Sequence, residues 1–200
     1  IIARPVMKQN FDSIADVQAF ADRLGVEVYY DYIMMAQSDG LTDNLNHRIS
    51  LSQTREMIDF LLEHKDSFRI AIEMAGSVDE LVSKQFVRRR NICSILSSGL
   101  CVSPDGTVYP CPGWKDFSIG DLAQSTLSSI WSASENALKL RAVDMESDFE
   151  KCRNCTLRNF CDMCAVYNYN ESGDMYNVSQ RFCDVAAIFQ QAVIDKFHSI

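Results

Sequence analysis

The eight cysteines of this 200-residue chain all lie at or beyond residue 93, and that crowding constrains the fold more than any other feature of the sequence. The order is Cys93-x7-Cys101-x9-Cys111, a gap of forty residues, Cys152-x2-Cys155-x5-Cys161-x2-Cys164, eighteen residues more, and Cys183. A Cys-x2-Cys pair on a tight turn can offer two sulfurs to one metal or cluster, and this chain has two such pairs. Zinc ribbons and fingers usually separate their pairs by a dozen or more residues, whereas only five stand between these. Spacing alone leaves open two four-cysteine clusters, two all-cysteine zinc sites, or disulfides and inert thiols. Disulfide scaffolds belong mainly to small secreted domains without a core. With 47% apolar residues this chain has material for a core. The cysteines therefore read as ligands gathered into one module.

The charge balance narrows the partners. Nineteen basic against twenty-seven acidic residues gives a net charge of −8, which repels phosphate backbones and speaks against nucleic-acid binding. The basic run Arg88-Arg89-Arg90 suits a helix end, where cations meet the dipole. No apolar stretch approaches the ~20 residues of a membrane span, so no membrane partner is expected. The chain opens Ile1-Ile2-Ala3-Arg4-Pro5 without Met or a visible signal peptide, which suggests a piece of a longer protein.

Ahead of the cysteines the pattern alternates between strand and helix. Ile1 to Asn10 holds a possible strand. Ser13 and Asp16 resemble a capping box, Ile14, Val17, Phe20, Ala21 and Leu24 mark a helical face, and Gly25 stands where a C-cap belongs. Val26 to Met35 reads as a strand, completing a parallel βαβ unit that needs further sheet to cover it. Residues 36–50 look like a loop. Ser50 and Gln53 open a helix carrying Met57, Ile58, Leu61 and Leu62; Phe68 to Met74 suits a short strand; Ser77 and Glu80 cap a helix to about Arg90. Pro104-Asp105-Gly106 separates two strand-like runs, Leu100 to Pro104 and Thr107 to Cys111, as a hairpin turn. Leu127 to Val143 predicts a helix with Leu127, Ile130, Trp131, Leu138 and Leu140 in the core. Residues 184–198 predict a closing amphipathic helix around Val185, Ile188, Phe189, Ala192, Val193 and Phe197.

The words around the cysteines carry a resemblance. Gly99-Leu100-Cys101-Val102-Ser103-Pro104-Asp105-Gly106-Thr107-Val108-Tyr109-Pro110-Cys111-Pro112, then Ile119-Gly120-Asp121-Leu122, then the four-cysteine run and Cys183, resemble the SPASM domain. That module is the C-terminal extension of radical-SAM maturases, including anaerobic sulfatase-maturating enzymes. The resemblance implies two auxiliary [4Fe-4S] clusters, the first held by Cys93, Cys101, Cys111 and Cys164 and the second by Cys152, Cys155, Cys161 and Cys183. It implies an α+β chain: residues 1–90 as the end of a radical-SAM (β/α) partial barrel, and residues 91–200 as the cysteine-rich SPASM domain with its hairpin and helices. Val6-Met7-Lys8-Gln9-Asn10 and Val28-Tyr29-Tyr30-Asp31-Tyr32 resemble the closing barrel strands.

The implied parent is an oxidoreductase acting on a peptide or protein side chain, served by an electron donor or acceptor protein in a reducing, cytoplasmic setting. S-adenosylmethionine and a third [4Fe-4S] cluster would belong to that parent. The segment departs from the pattern in three places. It contains no Cys-x3-Cys-x2-Cys, so it cannot cleave S-adenosylmethionine alone. Pro112 follows Cys111 where sulfatase maturases carry an Asp, so formylglycine formation is not implied. Cys164 follows Cys161 at x2 rather than x3. The rival from another class is a zinc- or cluster-binding module that recognises a peptide and catalyses nothing.

Other side chains have ordinary explanations. His47, His64 and His198 are isolated in sequence. Asp116 and Asp121 suit turns and caps. Tyr109, Trp114 and Phe117 could shield a cluster or simply pack, as could Tyr167, Tyr169 and Tyr176, while Met34 and Met35 suit core gaps.

Overall fold

The computed structural model describes residues 1–83, 95–145 and 147–197. The expected helix end at Arg88, Arg89 and Arg90 lies outside the described residues, as do Cys93 and His198. Within them the chain is a mixed α+β structure with two small sheets.

The expected βαβ unit is present. Strand β1 (Ile2–Pro5) pairs in parallel with β2 (Val28–Asp31), Ile2 opposite Val28 and Pro5 opposite Asp31. Helix α1 (Ile14–Leu24) connects them and stops at Gly25, whose φ of 63° is the left-handed cap that glycine adopts without a Cβ penalty. The strand expected over Val26 to Met35 is shorter because β1 has no residue left to pair. Val6 makes one last bond to the Asp31 carbonyl at 2.7 Å, and a 3-10 turn follows at Lys8–Ser13.

Two details of α1 differ from expectation. Ser13 occupies the cap position, but its hydroxyl donates to the Asn10 carbonyl at 2.9 Å and accepts from Arg4 Nη2. No capping bond forms. The buried stripe is Ile14, Gln18 and Ala21, leaving Phe20 and Leu24 exposed. Gln18 is inside because its Oε1 accepts the Tyr30 hydroxyl at 3.0 Å.

Helix α2 (Leu51–His64) starts with the expected capping box: Ser50 Oγ accepts from the Gln53 N–H at 3.1 Å, and Gln53 Oε1 from the Ser50 N–H at 3.0 Å. The strand expected at Phe68 to Met74 is instead helix α3 (Ser67–Ala75). Phe68 and Ile72 stand one helical turn apart and pack on a core that a strand's alternation would split between two faces. Helix α4 (Val78–Ser83) begins where expected, the Glu80 N–H donating to Ser77 Oγ at 3.1 Å.

The hairpin is β3 (Cys101–Val102) against β4 (Thr107–Tyr109), antiparallel, with Gly106 at φ 91° and Asp105 Oδ1 accepting from the Thr107 N–H. A third strand, β5 (Gly120–Asp121), adds to β4. Gly120 is required there, since a Cβ would meet Ile130 Cγ1 at 2.7 Å. The single helix expected over Leu127 to Val143 is two, α5 (Leu127–Ala133) and α6 (Glu135–Arg141). Ser134 breaks the run, its side chain accepting from the Ala137 N–H to cap α6. The break resets the helical phase. Ile130 and Leu140 are buried as expected, Leu127 and Leu138 are exposed, and Trp131 lies partly buried with the Arg141 guanidinium 4.6 Å from its ring centre.

Helix α7 (Ala165–Ser172), unexpected within the turn-rich cysteine region, is buried along Ala165, Val166, Tyr167, Asn168 and Asn170. Asn168 Nδ2 donates to the Met175 carbonyl at 3.0 Å and its Oδ1 accepts from the Ser179 N–H at 3.0 Å. Asn170 Nδ2 reaches the Gly113 carbonyl at 3.0 Å and the Ala36 carbonyl at 3.4 Å. Glu171 pairs with Arg48 and accepts from Ser179 Oγ. Helix α8 (Gln180–Phe197) starts four residues before the expected 184 and packs Ala186, Phe189 and Val193 against Ile58 and Leu62 of α2 and Leu81 of α4. Among the described residues no helix is long and apolar enough to cross a membrane.

Asn168 is fully buried with both ends of its amide engaged. Replacing it by Ala would strand two backbone partners and leave a void, so Asn168→Ala is expected to cost about 2–4 kcal/mol, read as a lower urea midpoint with unchanged slope.

Candidate metal centres

The second cysteine run is built from tight turns. Cys152 ends a 3-10 turn (Glu150–Cys152), and the Cys155 N–H donates to the Cys152 carbonyl at 3.2 Å, folding the Cys-x2-Cys segment back on itself. Arg158 Nη2 clasps the loop through the carbonyls of Cys152 at 2.8 Å and Arg153 at 3.2 Å. Another 3-10 turn (Arg158–Phe160) delivers Cys161, Cys164 sits at the N-cap of α7, and Cys183 lies in the first turn of α8.

Four of these thiols lie within electrostatic reach of one another. Burial pushes the Cys161 thiol up to about 11; a backbone hydrogen bond from Met163 opposes this, and Cys152, Cys183 and Cys155 reinforce it. The Cys152 thiol is also raised, by burial first and then by Cys155 and Cys183, against Arg158 and Lys151. Thiols that hinder one another's ionisation in this way are unfavourable as bare thiolates. Metal binding removes the conflict, because the cation's charge offsets the lost protons.

The hairpin places the other cysteines. Cys101 stands opposite Tyr109 on β4, the strand that leads to Cys111. The Gly113 N–H points back at Cys111 Sγ at 3.3 Å, a donor that would favour a thiolate. Gly113 itself is closely approached, since a Cβ would lie 3.1 Å from Met35 Cε. Cys111 and Cys164 pack against the same core, formed by Leu96, Val108, Trp114, Ile119, Ile130 and Val166 among others. Leu96 takes a left-handed φ of 55°, a strained state held by its burial and by Arg141 Nε on its carbonyl at 2.9 Å.

Trp114 is buried with its ring centre 4.9 Å from that of Phe117 and 5.4 Å from that of Tyr169. Its indole Nε1 finds no acceptor among the described residues. A buried, unsatisfied donor in the core against which Cys111 and Cys164 pack fits a centre that brings its own acceptors, as the inorganic sulfides of an iron–sulfur cluster do. Among the described residues no disulfide links the seven cysteines, and no three His, Cys, Asp or Glu side chains close around a point to grip one metal ion.

The remaining candidates sit in structural roles. His64 stacks on Phe60 and bonds to its carbonyl, and His47 contacts Gln9. Asp121 holds its turn through the Ala123 N–H at 2.7 Å, while Asp116 is exposed. Tyr167 packs between Phe182 and the Arg48 guanidinium, which lies 4.8 Å from its ring centre. Cysteine spacing could not reveal Asn170, which ties the loop after Cys111 to α7, or Arg158. Only Gly173 at the left-handed C-cap marked α7 in the sequence.

Residues 93–156 match the family model of the SPASM domain, an iron–sulfur cluster-binding domain. No curated protein matches the chain. The match spans Cys93, Cys101, Cys111, Cys152 and Cys155 and assigns iron–sulfur cluster binding to this part of the molecule.

The raised Cys161 thiol has a kinetic consequence. In the reduced, metal-free chain at pH 8 its thiolate fraction falls about 100-fold below that of an ordinary thiol, and higher nucleophilicity recovers about tenfold. Iodoacetamide should therefore label Cys161 roughly tenfold more slowly than a fully exposed cysteine, as measured by peptide mass spectrometry.

Proposed function

We propose that this chain is the auxiliary-cluster part of a radical-SAM enzyme that oxidatively modifies a peptide or protein side chain, in the manner of the sulfatase maturases. The observation that carries this reading is the match of residues 93–156 to an iron–sulfur cluster-binding domain, set on a chain that begins with a parallel βαβ unit. In this reading residues 1–90 end a radical-SAM partial barrel and residues 91–200 form the cluster domain. Cys152, Cys155, Cys161 and Cys183 hold one [4Fe-4S] cluster, supported by their mutual electrostatic influence. Cys93, Cys101, Cys111 and Cys164 hold the other, supported by the shared core around Cys111 and Cys164 and the hairpin that brings Cys101 alongside.

Cluster binding suits this donor set better than a single zinc ion. At zinc four sulfurs converge on one atom, whereas each thiolate of a cluster takes its own iron and the sulfurs stay apart. When bound, the clusters would supply one-electron acceptance for a substrate radical. The chain's own residues do the rest. Arg158 and the Cys152 turn hold the second loop in shape, Gly113 N–H stabilises the Cys111 thiolate, Asn170 fixes the Gly113 carbonyl, and Trp114 with Phe117 and Tyr169 keeps water from that side. An electron-transfer protein partner and a reducing, cytoplasmic setting follow from the same chemistry.

Anaerobic reconstitution tests the reading: about eight irons and eight acid-labile sulfides per chain are expected. Cys155→Ala and Cys111→Ala should each forfeit about four irons, and Cys155→Ala should loosen residues 150–185 in hydrogen exchange while sparing residues 1–70. Stoichiometric zinc without sulfide would overturn the reading.

Trp114 gives a second test. Trp114→Phe keeps the ring but removes the N–H, so the iron content should hold while the midpoint potential of one cluster, followed by EPR-monitored titration, moves to more negative values. A donor to sulfur stabilises the more negatively charged reduced state.

A further inference from the structure

A cleft of about 480 Å³ runs along β2 from Tyr29 and past its C-terminal end, and Asp162 and Cys164 of the second cysteine run also line it. The carboxyl ends of parallel strands are where open α/β sheets place ligands. Burial alternates along both strands, so Tyr29 and Asp31 share the face that neither α1 nor α2 covers, and both are exposed. Asp162 and Cys164 line the same cleft. Burial raises the Tyr32 phenol most, and the next cause is Asp162, ahead of Tyr29 and Asp31. The two carboxylates thus both act on one partly buried phenol.

Among the described residues the lining contains Asp31 and Asp162 but no Lys, Arg or His. Arg48, near Tyr167 on the cleft wall, is already paired with Glu171. The remaining surface comes largely from tyrosine rings with Ile33, Met35 and Phe182. Two carboxylates with no cation beside them among the described lining residues, set on aromatic and aliphatic walls, suit a group with a long apolar stem and a cationic head. A neutral apolar occupant would desolvate both acids without return, and an anion would be repelled. The volume lies within the range of small-ligand sites and accommodates one long side chain with its flanking peptide.

We propose that this cleft binds a cationic side chain, an ammonium or guanidinium, of a peptide substrate, with Asp31 and Asp162 meeting the charge and Tyr29 and Tyr32 the stem. The inference rests on the peptide-modifying reading above and adds a substrate class to it. Cys164 in the wall would bring the first cluster's ligand set next to the occupant.

The test is direct binding to the reconstituted chain, by NMR titration, of three capped tripeptides with lysine, norleucine or glutamate between two alanines. The lysine peptide is expected to bind about tenfold more tightly than the norleucine peptide, with the glutamate peptide weakest. Asp31→Asn retains an acceptor for the Ile33 N–H that Asp31 Oδ1 now accepts. It should cut lysine-peptide affinity severalfold and leave the norleucine peptide unchanged.

Equal binding of the lysine and norleucine peptides, no binding of either, or an unaltered preference in Asp31→Asn would overturn the inference. Iron and sulfide measured on the same samples separate the two claims. A fully loaded chain without lysine preference sinks the cleft alone, while lysine preference in a chain that takes up zinc sinks the cluster reading and leaves the cleft standing.

Discussion

Helix α7 is the piece on which the rest of the molecule is assembled. Eight residues are too few for a helix to persist alone in water. Its formation therefore depends on its surroundings, and theirs depends on it. Asn168 closes the 175–179 turn, Asn170 draws the loops at Ala36 and Gly113 together, and Glu171 fastens Arg48 from the βαβ half. These bonds are made in buried or partly buried surroundings, so each satisfied amide stabilises modestly while a lost partner would cost more. That asymmetry favours the arrangement of loops in which Asn168 and Asn170 keep their partners.

The same helix links the two sets of cysteines. Cys164 caps its N-terminus, Gly113 beside Cys111 is held from its middle, and the turn after it leads into α8 and Cys183. One side of α7 packs on the core beneath the hairpin and the other on the core beneath the second run. Cysteines carried on such a frame keep a defined separation. Cys152 and Cys161 are hard to ionise without metal, so metal loading and the final consolidation of this region are expected to proceed together.

The sheet pair in the first half is incomplete as a hydrophobic unit. One face carries Val28 and Tyr30 into the core, while the other shows Tyr29 and Asp31 to solvent. Helices α2, α3, α4 and α8 pack together elsewhere and leave that face open, where it forms the cleft beside Cys164. The surface offered there is charged and aromatic, which favours a polar, cationic occupant over another layer of core.

Local chemistry was legible in the sequence wherever it is decided within a few residues. The Ser50–Gln53 box, the Gly25 cap, the Asp105-Gly106 turn and the parallel βαβ connection follow from side-chain reach and φ preference. The cysteine spacing likewise announced a metal-binding module, because ligands must recur at turn-sized intervals. Tertiary packing alone decided that Phe68 to Met74 is helical, that Ser134 splits the long helix, that Leu127 and Leu138 face water, and that α7 exists at all. Those outcomes depend on which distant surface is available to bury an apolar stripe or answer an amide. The sequence thus determined the donor atoms and the local turns. The packing decided which donors meet, because bonds such as Asn170 to Gly113 and Arg48 to Glu171 join residues too far apart in the chain for local preference to specify.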